Sequence, residues 1–125
     1  MDTTPEYIKM CEKATEIQAL HDITDYEHDC VFCRNCQEVC HEDSGYYFCC
    51  GETDGLWLPL QDQLQGMVFP KAFSVHDLDK FYNWADKRIE TLHGCELESW
   101  EQLWLAFVMS ELYDKVWNGE KWVKK

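Results

Sequence analysis

Long apolar runs are missing from this 125-residue chain: the longest uncharged apolar stretch, Leu103 to Met109, is far too short to cross a bilayer. Positive charge is scarce, with 11 Lys and Arg against 24 Asp and Glu and a formal charge of −13. That shortage argues against direct binding of nucleic acid, whose phosphates demand a Lys/Arg footprint, and against an anionic membrane surface. The opening Met-Asp-Thr-Thr-Pro has neither a basic start nor an apolar stretch of signal-peptide type, so no export signal is expected. There is no Gly-rich phosphate loop, no H-E-x-x-H pair and no G-x-S-x-G elbow. The His-x-Glu plus Cys-x-x-Cys arrangement of nucleotide deaminases is absent as well. No internal repeat, low-complexity tract or Gly/Ser linker divides the chain.

What is there is enough for a core. The chain is 46% hydrophobic and 14% aromatic, with six tryptophans, which excludes a wholly disordered protein. Its length suits a single domain over residues 1–125 that buries about two-thirds of its unfolded surface. The negative charge is uneven. Between Asp22 and Asp62 ten acidic residues face a single basic one, Arg34, so this stretch carries −9 and the rest of the chain −4. Such a surface keeps a small protein soluble, and it is also complementary to a basic partner.

Three main helices are predicted. The first starts at Thr3 or Thr4, with Pro5 early and Glu6 closing a capping box, and carries a stripe of Tyr7, Met10, Ala14 and Ile17 with Ile8 and Cys11 beside it. It fades near Leu20 to Asp22. The second starts at Ser74, boxed by Asp77, and turns Leu78, Phe81, Tyr82, Ala85, Ile89 and Leu92 to the core before Gly94 stops it. The third starts at Ser99, boxed by Gln102, and runs from Trp100 to about Trp117. Its apolar residues cover most of the circumference, as in a central helix covered on both sides. Asn118-Gly119 then turns the chain so that Val116-Trp117 and Trp122-Val123 pair as a short ribbon. Short strands are expected near Cys30 to Phe32, Tyr46 to Cys49 and Leu56 to Leu58, and a short helix over Leu60 to Met67. The fold class is α+β: three main helices with a small β-hairpin, zinc-ribbon-like subregion over about 26–58.

That subregion holds six of the eight cysteines. Cys30/Cys33 and Cys33/Cys36 are overlapping C-x-x-C units, and a tight turn with that spacing presents two thiolates on one side, as tetrahedral zinc requires. Phe32-Cys33-Arg34-Asn35-Cys36 makes the first knuckle. A strand through Tyr46, Tyr47 and Phe48 delivers Cys49 and Cys50, closed by Gly51. The candidate metal ligands are therefore Cys33, Cys36, Cys49 and Cys50. Adjacent strand residues point to opposite faces, so Cys49 and Cys50 share a metal only if the backbone turns at Cys50-Gly51; otherwise Cys30, Cys40 or His41 completes the set.

The spacing Cys30, Cys33, Cys36, Cys40 also matches the C-x2-C-x2-C-x3-C run of bacterial ferredoxins, so an iron–sulfur cluster is the alternative cofactor. In ferredoxins a proline follows the last cysteine, whereas His41 follows here. Disulfides or plain thiols are the remaining reading, but the cysteine density is below that of disulfide scaffolds. Cys11 and Cys95 stand alone, and so do His21, His76 and His93. Four or more thiolates describe a closed structural site, whereas a zinc enzyme keeps one position open to water, so no enzymatic activity is expected.

At Trp57 to Gln65, at Trp100 to Met109 and in the opening Tyr7 to Ala14, the chain resembles small proteins of unknown function encoded by bacteriophages and prophages. These segments cover about a fifth of the chain and flank the cysteine cluster without including it. The resemblance implies a phage gene product in the host bacterial cytoplasm and carries over no activity. The expected function is a non-enzymatic accessory protein that holds structural zinc and acts through protein–protein contacts of its acidic surface. An acidic decoy of a host nucleic-acid-binding defence or nuclease complex and an iron–sulfur or thiol redox protein are the alternatives. A dimer is also open, because Trp84 lies off the main stripe of its helix and leaves room for an exposed apolar patch.

Overall fold

The computed structural model describes residues 2–20, 30–34, 37–40, 55–71, 74–91, 97 and 99–125. Among them are five helices, a three-stranded antiparallel sheet and a two-stranded ribbon, a mixed α+β architecture of the expected class. They fall into two compact units, Thr3–Leu60 and Gln61–Lys125, with Asp2 belonging to the second. No helix among the described residues is long and apolar enough to cross a membrane.

In the first unit, α1 (Pro5–Lys13) is capped by Thr4, whose hydroxyl oxygen accepts from the Tyr7 N–H at 3.3 Å. Thr4 rather than Thr3 is the cap, which moves Glu6 to the second helical position and puts Tyr7 at the third, where the capping bond forms. The expected stripe is the buried one: Tyr7, Met10, Cys11, Ala14 and Ile17 are fully enclosed. The helix breaks at Ala14, whose N–H still reaches Met10 and Cys11 carbonyls, and resumes as α2 (Thr15–Leu20). β1 (Cys30–Cys33) is the middle strand of the sheet, between β2 (Val39–Cys40) and β3 (Gly55–Leu58). Two of the expected strands are thus present. The one expected at Tyr46 to Cys49 lies outside the described residues.

Side chains from the helices tie β3 down. The Tyr7 hydroxyl donates to the Pro59 carbonyl at 2.6 Å. The Gln18 amide does more: its Nε2 donates to the Trp57 carbonyl at 2.9 Å and its Oε1 accepts from the Trp57 N–H at 3.0 Å. One side-chain amide therefore takes the place of a further strand along the outer edge of β3.

The second unit is built on α5 (Trp100–Tyr113), where every residue from Trp104 to Ser110 is buried, as expected of a helix covered on more than one side. α3 (Gln61–Val68) and α4 (Val75–Thr91) pack on it. The rings form a continuous cluster. Phe81 stacks on Trp104 with centroids 3.9 Å apart and planes 4° from parallel, and Phe107 meets Phe81 edge-on at 5.2 Å.

Both expected helix starts are in place. Ser74 and Asp77 exchange reciprocal bonds, 2.9 Å from the Ser74 N–H to Asp77 Oδ2 and 3.3 Å from the Asp77 N–H to Ser74 Oγ. At α5 only half of the box forms. Ser99 Oγ accepts from the Gln102 N–H at 3.1 Å, but the Gln102 side chain donates instead to Asp2 Oδ2 at 2.8 Å. The buried Asp2 carboxylate also accepts from the Ser99 hydroxyl. A negative charge beside the first turn of a helix is favourable, which explains why this acidic group is enclosed there.

Two expectations need correction. The third helix does not reach Trp117: Asp114 takes the left-handed conformation (φ 59°), ends α5 at Tyr113 and starts β4 (Lys115–Trp117) directly. β4 pairs with β5 (Trp122–Lys124), Trp117 opposite Trp122, as the Asn118-Gly119 turn suggested. There Gly119 has φ 99°, and Asn118 Oδ1 accepts from the Glu120 and Lys121 N–H groups at 2.9 and 2.8 Å. The second correction concerns α4, which is turned by roughly 80° from the expected stripe, at 100° per residue. Phe81 is buried as expected, but Leu78 and Tyr82 are exposed and Trp84 faces inward, its Nε1 donating to Ser110 Oγ at 3.2 Å. An indole buries more apolar area than a phenol and here finds an acceptor for its N–H, so Trp84 takes the inner position in place of Tyr82.

Candidate metal centre

The cysteine-bearing sheet is held from both sides of β1. Val31 sits opposite Cys40 on β2 and opposite Trp57 on β3, while Cys33 sits opposite Gly55. Cys30 and Cys33 are 3% and 1% exposed. Residues three apart on a strand fall on opposite faces of its sheet, and a strand paired on both edges has little freedom to untwist. The unit Cys30/Cys33 is therefore laid along a strand, with its two members on different faces.

β1 ends at Cys33, and the chain turns after it. The Cys33 N–H donates to the Glu38 carbonyl at 2.9 Å, and the Cys33 carbonyl accepts from the Gln37 N–H at 2.8 Å. Gln37 is in the left-handed region, φ 62°, unusual for a residue with a Cβ and needed here to bring the chain back as β2. These bonds close a tight hairpin between Cys33 and Glu38, where the sequence places its first knuckle; Cys36 itself lies outside the described residues. Register also sets Cys40 opposite Val31, the position two before Cys33 on the same face. Of the additional candidates, position 40 shares a face with Cys33 and position 30 does not. Gly55 brings no side chain to the place across from Cys33.

Among the described residues no three His, Cys, Asp or Glu groups converge to hold a metal ion. Of the expected set, Cys33 is in the sheet, whereas Cys36, Cys49 and Cys50 lie outside the described residues, as do His41, His21, His93 and Cys95. Cys11 is enclosed on α1, where it serves as core, and His76 is exposed in the first turn of α4.

The surface that sequence reasoning missed is in the second unit. A groove of about 480 Å³ opens beside α4, walled by Val75, Leu78, Tyr82 and Trp100 above the Phe81–Trp104 stack. Its only sequence signal was an apolar stripe on α4 wider than one core face needs. Arg88, on the opposite side of α4, lies 5.5 Å from the Trp84 ring centroid, and its burial pulls its pKa below the ordinary arginine value.

No protein-family model, curated protein or solved structure matches the chain.

Proposed function

We propose that this is a non-enzymatic accessory protein in which one structural zinc ion, held by Cys33 and Cys36 with Cys49 and Cys50, fixes the region from about 26 to 58. The observation that carries the reading is the hairpin at Cys33 to Glu38, closed by two backbone bonds and a left-handed Gln37 immediately after Cys36. A C-x-x-C pair across a turn of this kind supplies half of a tetrahedral thiolate site. The metal's contribution is folding free energy, roughly 10 kcal/mol or more for structural zinc, in a stretch with few large aliphatic residues to hold it. Four thiolates leave no position for water, so the site binds and stiffens without reacting.

The strand conformation of Cys30 to Cys33 favours zinc over an iron–sulfur cluster. A C-x2-C-x2-C loop that wraps a cluster turns its first two cysteines inward together, and a paired strand sets them on opposite faces. In this reading the protein acts in the host bacterial cytoplasm, through contacts of the acidic stretch with a basic protein partner. A host nuclease or defence complex, met by an acidic decoy, is the special case that the local charge of −9 favours.

Elemental analysis with native mass spectrometry, on protein purified anaerobically without chelator, is the direct test. One zinc per chain is expected, with Cys33→Ser losing the metal and loosening residues 26 to 58 while α3, α4 and α5 stay folded. A chain free of zinc, or a brown protein carrying iron and sulfide, refutes the reading.

A further inference from the structure

We propose that the groove beside α4 binds a basic amphipathic helix of a partner protein, a contact separate from the metal region and from the acidic stretch around it. Four large apolar residues are exposed along it: Val75 by 81%, Leu78 by 51%, Tyr82 by 64% and Trp100 by 61%. Single exposed apolar residues are ordinary, but a contiguous row at one groove marks an interaction surface. The row has a shape. Val75, Leu78 and Tyr82 stand at i, i+3 and i+7, a line of about 10 Å along α4, which matches two turns of a docked helix. Its floor is already formed, because Phe81 and Trp104 stack on each other, so docking does not require the core to rearrange.

Charge decides the occupant. On a helical wheel Asp79 and Asp86 fall about 40° and about 20° from Val75, both on the side away from Leu78 and Tyr82, so they line one edge of the apolar row, and both are exposed. The cations of the same helix are elsewhere. Lys80, Lys87 and Arg88 lie more than about 100° away, Lys80 paired to Glu111 at 3.0 Å and Arg88 set against Trp84. An apolar ridge with two carboxylates along one edge suits a helix that carries Lys or Arg on the matching edge of its own apolar stripe. A second copy of this chain brings the same acidic edge and a net charge of −13, and an anionic lipid surface is repelled for the same reason.

The test is a fluorescence-anisotropy titration of the full chain with two labelled model helices of about 18 residues, one of Leu and Lys and one of Leu and Glu on the same apolar pattern. The Leu/Lys helix is expected to bind at least about tenfold more tightly than the Leu/Glu helix. Leu78→Ser with Tyr82→Ser, a charge-neutral change at exposed positions, should weaken it by about tenfold or more. Asp79→Asn with Asp86→Asn should weaken it about threefold to tenfold and flatten its salt dependence. Circular dichroism checks that both variants keep their helices. Leu/Lys binding unchanged by the serine pair would place the peptide on the acidic stretch between Asp22 and Asp62 and overturn the proposal. Equal binding of both helices, or of neither, would overturn it too. So would a dimer seen by sedimentation in the natural chain and lost in the serine pair, which would make a second copy the occupant. None of these outcomes depends on the zinc content, which is read separately.

Discussion

Replacing Gln18 by Ala removes the side chain that closes the outer edge of β3, and the structure sets the size of the effect. Two hydrogen bonds go, at 2.9 and 3.0 Å, both to the backbone of Trp57, a residue only 6% exposed. Each bond is worth about 1 kcal/mol net, and a partly enclosed backbone group left without its partner adds to that, so the loss should be about 2–3 kcal/mol. Because a factor of ten corresponds to about 1.4 kcal/mol, protection of the Trp57 amide against hydrogen exchange should fall by roughly thirty- to hundredfold. Gln18→Met, which keeps the length and loses both bonds, should behave like the alanine variant; that separates hydrogen bonding from packing. Protection at Trp57 within about twofold of the natural chain in both variants would refute the idea that this amide substitutes for a strand.

Four further outcomes follow from the packing and the backbone. Phe107→Ala removes a fully enclosed ring that meets Phe69, Phe81, Trp84 and Trp104, and should cost about 3–5 kcal/mol in urea unfolding. Gly66→Ala in α3 puts a Cβ where nothing lies within 4 Å, so it should stabilise by about 0.5–1 kcal/mol and raise the thermal midpoint. Gln37→Gly relieves the left-handed residue at the hairpin and should stabilise the first unit by up to about 1 kcal/mol, read as slower exchange of the Cys33 amide. Lys80→Ala removes an ion pair with Glu111 in which Lys80 is mostly exposed; the expected change is below about 0.5 kcal/mol, and a larger one would mean that Lys80 does more than pair.

Local signals in the sequence were read correctly where a local cause decides the outcome. Ser74 and Asp77 are three residues apart and close on each other without help, so that box was visible in four letters. Asn118-Gly119 is similar, because the turn uses its own side chain and a glycine at φ 99°. Where a distant residue competes, the pattern misleads. Gln102 was expected to reach back to Ser99, and a carboxylate a hundred positions earlier takes its amide instead. Periodicity put Tyr82 in the core and Trp84 outside, and the acceptor on Ser110 reversed them. The helix end at Asp114 was hidden because apolar letters continue through Val116 and Trp117, where the period changes from 3.6 to 2 without a proline or glycine to mark it. For the candidate centre, the described residues place a hairpin after Cys33, while Cys36, Cys49 and Cys50 lie outside them. The register that separates Cys30 from Cys33 and sets position 40 on the Cys33 face comes from strand pairing, which no spacing encodes.

The burial of α5 from Trp104 to Ser110 has a consequence for synthesis. A ribosome makes α3 and α4 before the helix they pack on, so their apolar sides emerge with nothing to cover them. From Thr91 to Tyr113 the gap lasts about one to four seconds at elongation rates of about 5–20 residues per second. During that interval the exposed apolar sides are a hazard for aggregation, and the Ser74/Asp77 box at the start of α4 is the capping bond already available to the nascent chain.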